Sequence, residues 1–131
     1  MIAQSVRQFV RTRAADGCEY CRMPQSAMPQ APFHVEHIVA KQHGGGDHES
    51  NLAFACERCN HRKGPNLSSI DPHSDEIVNL FHPRIDAWAE HFAINDGCVA
   101  GLTPTGRATV RLLDMNTPAR VRLRRILGLS A

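Results

Sequence analysis

The 131-residue sequence has few aromatic side chains, little net charge and no long apolar run. Aromatic residues make up 5% of the chain, so we expect a small core to which a structural metal would add much stability. No stretch is long and apolar enough to cross a bilayer, and the first residues lack the continuous apolar segment of a secretory signal. These absences argue against a membrane protein and predict a cytoplasmic one with reduced thiols.

The formal net charge of +2 does not by itself indicate a nucleic-acid partner. The charges are nevertheless unevenly distributed. Acids dominate residues 71–96. The C-terminal segments contain one acid, Asp114, and six arginines: Arg107, Arg111, Arg120, Arg122, Arg124 and Arg125. Such asymmetry can produce a basic face that contacts phosphates. The alternative, a solvated arginine surface, stays open.

Two Cys-x-x-Cys pairs are the strongest local signal in the sequence. Cys18 and Cys21 form the first pair, and Cys56 and Cys59 form the second, with 34 residues between the pairs. Each pair can place two thiolates on one ion from a single tight turn, and two pairs complete a tetrahedral zinc site. Four thiolates leave no open position, so the predicted zinc is structural. Ordinary thiols or two disulfides are the alternative.

The segment between the two pairs has a pattern of its own. Residues 34–38 alternate as a strand does, with Val35 and His37 on one face and Glu36 on the other. A glycine loop follows at residues 44–46, and residues 51–56 suggest a second short strand. A short helix is expected to begin at Cys59 and to end at Gly64 and Pro65. The predicted order is therefore strand, glycine loop, strand, helix.

This combination resembles the HNH endonuclease family, in the subgroup with a zinc held by four cysteines. The matching residues are His37, Asn51 and Asn60, and Glu36 precedes His37 where the family more often has aspartate. The resemblance implies an α+β fold with a ββα-metal core. It covers residues 18–64, the motif core of a predicted single domain over residues 1–131, in which residues 65–131 form a C-terminal extension.

The resemblance also implies metal-dependent hydrolysis of phosphodiester bonds in DNA. It assigns His37 as general base and Glu36 and Asn60 as ligands of Mg²⁺ or another divalent cation, with His61 as an alternative ligand. Asn51 would orient the loop that follows His37 through a hydrogen bond to the backbone. A neutral histidine suits proton abstraction near neutral pH, and carboxylate and amide oxygens suit a hard cation, so the residue chemistry is compatible with these roles.

Arg62 and Lys63, next to Asn60, are the candidates for contact with a phosphate held at the metal. No base-reading element is evident, so backbone contacts with weak sequence preference are expected. Two alternatives stay open. Glutamate in place of aspartate favours a zinc-stapled nucleic-acid-binding module with a degenerate HNH site, and the same chemistry could act on RNA.

Outside the motif, the sequence predicts a first helix that ends before Asp16, because its apolar residues recur at helical spacing. Residues 65–74 look irregular, residues 77–81 suggest a strand, and residues 84–92 suggest a helix with Ile85, Trp88 and Phe92 on one side. Asp96-Gly97 predicts a hairpin with a type I′ turn, followed by a buried thiol at Cys98. Two closing helices are expected after Thr103-Pro104, to about Met115, and after Thr117-Pro118, to about Leu127.

Overall fold

The computed structural model describes residues 2–130, which contain five α-helices, three short 3-10 helices and three two-stranded antiparallel sheets. These elements confirm the predicted α+β class. They divide into two units, Met1–Pro65 and Asn66–Ala131, and the division falls one residue after the end of the predicted motif core. A single domain over the whole chain stays a prediction.

The first unit has the order that the sequence predicts. Its elements are α1 (Gln4–Arg13), β1 (His34–His37), β2 (Leu52–Ala55) and α2 (Glu57–Lys63). The strands β1 and β2 pair antiparallel, with His34 opposite Ala55 and His37 opposite Leu52. The pairing therefore brings the end of β1 beside the start of β2, where the intervening loop leaves and returns.

The β1–β2 hairpin buries one face against α1. Val10 of α1 forms an apolar cluster with Leu52 and Phe54 of β2, and Val35 of β1 packs at its edge. All four residues of β2 are buried, because its second face points away from α1 into the interior. Full burial of one such side chain contributes roughly 1.5–3 kcal/mol, so this small cluster fixes which hairpin face meets the helix.

The helix α2 begins earlier than the sequence predicts. It starts at Glu57 rather than Cys59, because Cys56 caps it and accepts the Cys59 N–H on its sulfur at 3.4 Å. The turn that brings the two cysteines together is thus also the first turn of the helix. Asn60 consequently lies inside α2 and not at its N-terminus.

The second unit consists of two hairpins and three helices. Its elements are β3 (Ser68–Ile70), β4 (Ile77–Asn79), α3 (Trp88–His91), β5 (Phe92–Asn95), β6 (Cys98–Gly101), α4 (Pro104–Leu113) and α5 (Pro118–Leu127). The strands pair as β3 with β4 and as β5 with β6.

The turn and capping signals in this unit are confirmed. Asp96 and Gly97 have φ values of 51° and 83°, the two positive angles that a type I′ turn requires. Thr103 and Thr117 cap α4 and α5, each accepting a backbone N–H three residues on, and a proline occupies the first turn of both helices. Helix α4 ends at Leu113, two residues before the predicted limit, because Asp114 adopts a left-handed conformation.

Two other predictions for this unit are wrong. Residues 68–70, expected to be irregular, form β3 and pair with β4. The helix expected over 84–92 is reduced to α3, because Asp86 accepts the His82 N–H at 3.0 Å and holds residues 82–86 in a turn. Phe92 starts β5 instead, and Ile85 is 78% exposed. Trp88 is buried.

The predicted burial of Cys98 is also wrong, since its side chain is exposed. The two-residue turn fixes the register of β5 and β6, and this register puts Val99 on the buried face. Cys98 and its partner Asn95 therefore point to solvent.

Several C-terminal arginines serve the second unit itself. Arg107 forms two hydrogen bonds of 2.9 Å with the carboxylate of Asp71, which is inaccessible to solvent. Arg124 is fully buried and donates to the carbonyls of Gly97 and Met115. A basic face built by the remaining arginines stays a prediction.

Candidate metal centre and histidine site

The four motif cysteines converge in the interior of the first unit. All four sulfurs lie within 4.8 Å of one another, and the sulfurs of Cys21 and Cys56 are 3.8 Å apart. Tetrahedral zinc with Zn–S bonds of about 2.3 Å separates its ligands by about 3.8 Å. The sulfurs therefore fit zinc. All four cysteines are free thiols, so the alternative of two disulfides is not what the structure shows.

The two cysteine pairs are built in the same way. The N–H of Cys21 donates to the Cys18 sulfur, and the N–H of Cys59 donates to the Cys56 sulfur, both at 3.4 Å. Burial raises the pKa of the Cys18 thiol well above its usual value. A buried thiol of this kind ionises only when a cation compensates its charge, so the cluster is suited to a metal rather than to four bare thiolates.

Glu19 attaches the first cysteine pair to the hairpin. Its backbone N–H donates to the Phe54 carbonyl at 2.9 Å, and its carboxylate accepts the Phe54 N–H at 2.8 Å. One residue thus satisfies both backbone groups on the outer edge of β2. Two hydrogen bonds therefore join the first cysteine pair to the strand pair.

His37 lies at the end of β1, on the α1 face of the hairpin. Its side chain is 22% exposed, and its Nε2 atom is 2.7 Å from Oδ1 of Asp47. The hydrogen bond with His37 holds the pKa of the Asp47 carboxyl below its usual value. Sequence reasoning missed Asp47. Its one signal is an acidic residue directly after the glycine loop, ten positions from the histidine.

Asn51 holds the loop that joins the two strands. Its side chain accepts the Val39 N–H and donates to the Val39 and Gly46 carbonyls, all at 2.9 Å. Gly45 lies so close that an added Cβ would be 1.7 Å from the Val39 oxygen. Only glycine therefore fits this position, and the loop backbone packs against the Asn51 amide.

Glu36 lies on the opposite face of β1 and is 6% exposed. Burial raises the pKa of this carboxyl to about 7, although the positive charge of Lys63 opposes the shift. Its Oε1 atom is buried and accepts no hydrogen bond within 3.5 Å from the described residues, although the Tyr20 hydroxyl lies close enough to oppose the rise of the Glu36 pKa. A bound cation would satisfy a buried oxygen that accepts no close hydrogen bond from the protein, so Glu36 fits the predicted ligand role.

Lys63 occupies a different place from the one predicted. Its side chain is buried, and its Nζ atom donates to the Ile38 carbonyl at 2.8 Å. Burial lowers the pKa of the ammonium, and the charge of Glu36 opposes that shift. Lys63 thus joins α2 to the residue after His37, a placement that does not support the predicted phosphate contact.

The predicted roles of the other residues of α2 stay predictions. Asn60 is half-buried in α2, whereas His61 and Arg62 are exposed. Among residues 2–130, the four cysteines are the one group of three or more His, Cys, Asp and Glu side chains with metal-binding spacing. A cation at Glu36 would therefore depend on the Asn60 amide, water and substrate, as Mg²⁺ sites with few protein ligands do.

The HNH endonuclease family model matches residues 18–66. The match starts at the first cysteine of the metal cluster and ends two residues after Gly64, so it covers the block that carries His37, Asn51 and Asn60. It confirms the resemblance: this segment is an HNH domain with a four-cysteine cluster. The curated proteins and the solved structures gave no match. Within residues 2–130, no helix has the length and apolar character needed to span a membrane.

Proposed function

We propose that the chain is a cytoplasmic, metal-dependent HNH endonuclease that hydrolyses phosphodiester bonds of DNA. The observation that carries the proposal is the family match over residues 18–66, in which His37 stands at a strand end with one nitrogen bound to a carboxylate. A histidine held in this way is oriented, partly open to solvent and able to take a proton from water.

In this proposal His37 is the general base. One ring nitrogen contacts the Asp47 carboxylate, and the other can accept the proton of the attacking water. Asn51 keeps the loop carrying Asp47 in place, through its bonds to Val39 and Gly46. Base catalysis of this type is worth roughly 10²–10⁴-fold in rate.

A divalent cation would be held by Glu36 and Asn60, with His61 as a further ligand. When bound, such a cation stabilises the negative charge that develops on the phosphate. The unmatched Oε1 atom of Glu36 supports this assignment. The zinc of the cysteine cluster is a separate and structural ion, because four sulfurs fill its coordination sphere.

The nucleic-acid contact is proposed for the first unit. Residues 1–65 hold eight of the 15 Lys and Arg but six of the 13 acids, so this unit carries the excess positive charge of the chain. Arg62 is exposed on α2 beside Asn60 and is the candidate for a phosphate contact. A contact with phosphate carries no base information, so little sequence preference is expected.

One observation favours a second candidate, a nucleic-acid-binding module that does not cut. Glu36 is almost fully buried, and the Lys63 ammonium already supplies positive charge next to it. An internal cation of this kind could replace the divalent ion. The protein would then keep the fold and its basic surface without the catalytic metal.

Cleavage assays separate these candidates. Purified protein is incubated with supercoiled plasmid, linear duplex, single strand and RNA under Mg²⁺, Mn²⁺ and other divalent cations. We expect DNA cleavage that stops under mild chelation, with zinc retained, and returns when Mg²⁺ or Mn²⁺ is added. Binding without cleavage under every cation would establish the second candidate, and cleavage of RNA alone would change the substrate.

A further inference from the structure

Asp47 is a charged side chain that no role in the HNH resemblance accounts for. Its carboxylate lies 2.7 Å from His37 Nε2, the shortest contact that either side chain makes among those described. Lys41 approaches the same oxygen at 3.4 Å, but the Lys41 side chain is 62% exposed. The histidine is therefore the main partner of this carboxylate.

Hydrogen bonds and close packing hold the loop backbone next to Asp47. Asn51 binds the Gly46 carbonyl, directly before Asp47, and binds Val39 at the other end of the same loop. Gly45 packs against the Val39 oxygen, where no side chain fits. These contacts hold the backbone on the N-terminal side of Asp47, whose carboxylate reaches the ring of His37.

An ionised carboxylate can only accept hydrogen bonds. Its contact with Nε2 therefore requires the hydrogen of a neutral His37 ring to reside on Nε2, which leaves the lone pair on Nδ1. An amide at position 47 could instead donate to Nε2 and would then favour the opposite tautomer, whose Nδ1 carries hydrogen and cannot accept another proton.

We propose that Asp47 is the positioning residue of the proposed reaction, which fixes the His37 ring with Nδ1 free to act as base. Asn51 acts through Asp47, because it holds the backbone from which the carboxylate reaches the ring. The kinetic consequence of this inference rests on the proposed nuclease function. Its structural part, the state of the His37 ring, can be measured without any substrate.

The kinetic test compares Asp47→Asn, Asp47→Ala and Asp47→Glu with Glu49→Gln. Glu49 is an exposed acid in the same loop, so its variant removes one charge without touching His37. We expect Asp47→Asn and Asp47→Ala to lower kcat about 10- to 100-fold, part of what the base supplies, while KM and zinc content stay unchanged. Asp47→Glu should recover part of the rate, and Glu49→Gln should cut like the wild type.

The second measurement is ¹⁵N NMR of the histidine rings, with His37 assigned by comparison with His37→Gln. We expect the neutral wild-type ring to show a protonated, slowly exchanging Nε2 and an unprotonated Nδ1. In Asp47→Ala the Nε2 proton should exchange with water too fast to be seen.

A hydrogen on Nδ1 in the wild type would overturn the proposal, as would Asp47 variants that cut at the wild-type rate. Parallel losses of kcat, substrate affinity and thermal stability would also overturn it, because they would show a merely structural role. If the wild type cuts no nucleic acid, the nuclease function fails separately. The ring spectra of the wild type and Asp47→Ala then decide the positioning of His37 alone.

Discussion

The side-chain amide of Asn51 forms a closed pair with the backbone of Val39: its oxygen accepts the Val39 N–H, and its nitrogen donates to the Val39 carbonyl, both at 2.9 Å. This is the pairing that a neighbouring strand would give to Val39. The side chain thus continues the β1–β2 hydrogen-bond ladder to Val39, two residues beyond the end of β1, and it anchors the loop that follows His37.

Replacing Asn51 should therefore loosen the loop while leaving the metal cluster intact. Asn51→Ala removes three hydrogen bonds, each worth about 1 kcal/mol, and should accelerate amide hydrogen exchange at Val39. The cleavage rate should fall but not vanish, because His37 itself remains. Exchange at Val39 that matches the wild type would contradict this role for the side chain. Zinc content serves as the control and should not change.

The cysteine cluster should hold the first unit together. Cys56→Ser removes one zinc ligand while its hydroxyl can still cap α2, so we expect loss of zinc and, as a result, unfolding of residues around the hairpin. Structural zinc can supply on the order of 10 kcal/mol of apparent binding energy in small domains. Elemental analysis and circular dichroism measure both effects. Cys98→Ser is the matched control, because Cys98 is an exposed thiol outside the cluster, and it should keep zinc and fold. A Cys56→Ser protein that retains one zinc and a native spectrum would rule this out.

His37→Ala should reduce the rate of cleavage by roughly 10²–10⁴-fold, the usual contribution of a positioned base. DNA affinity, zinc content and melting temperature should stay near wild type, since the side chain is partly exposed and sits at a strand end. His43→Ala, an exposed histidine in the following loop, is the control and should remain active. A His37→Ala protein that cuts normally would remove the central assignment. Because an unfolded variant is uninformative, His37→Gln, which retains a polar side chain of similar size, is measured beside it.

Arg62 and Lys63 are neighbours in α2, yet their variants should behave differently. Arg62→Gln should weaken DNA binding equally on unrelated duplexes and reduce the salt slope by about one unit, as loss of one phosphate contact does. Lys63→Met should instead lower thermal stability, since it leaves the buried Glu36 without its neighbouring positive charge and the Ile38 carbonyl without a donor. Titrations at several salt concentrations and melting curves separate the two effects. Equal losses of affinity and unchanged stability in both variants would contradict the burial of Lys63.

Acid should destabilise the second unit through Asp71. The hydrogen bond from Arg107 holds the pKa of this carboxyl far below its usual range, so the folded state keeps it ionised while the unfolded state does not. The stability that it supplies is present above the unfolded pKa of about 3.9 and is lost as the pH falls below that value. Asp71→Asn should lower the melting temperature at pH 7 and flatten its fall towards pH 3. Asp75→Asn, an exposed acid in the same turn, should retain the wild-type profile. An Asp71→Asn curve parallel to that of the wild type would disprove the linkage.

Local signals predicted those elements whose cause lies within a few residues. The two cysteine pairs, the Asp96-Gly97 turn and the Thr-Pro helix starts each set their own backbone geometry, and the structure has all of them. The contacts that escaped prediction join residues far apart in the chain. Asp47 reaches His37 because Asn51 shapes the intervening loop, and no spacing rule encodes that.

The burial of a side chain was the other property that could not be predicted from the residue type alone. Lys63 looked like a surface lysine in a basic run, but its side chain lies under the end of β1. Cys98 looked like a core thiol, but the two-residue turn decides which side of β6 faces inward. In both cases tertiary register, and not residue type, determines exposure.

A single ion at the cysteine cluster would turn the 34 residues between Cys21 and Cys56 into a closed ring. The entropy lost in closing a flexible loop grows with the logarithm of its length, so doubling the loop costs only about 0.6 kcal/mol. The exposed turn at Pro29 and Gln30 is held at its base by Gln25, which accepts the Phe33 N–H and donates to the Ala31 carbonyl. A peptide tag inserted at this turn would lengthen the ring at a small cost in loop-closure entropy. A fluorophore on the tag would report by its mobility whether the metal is bound.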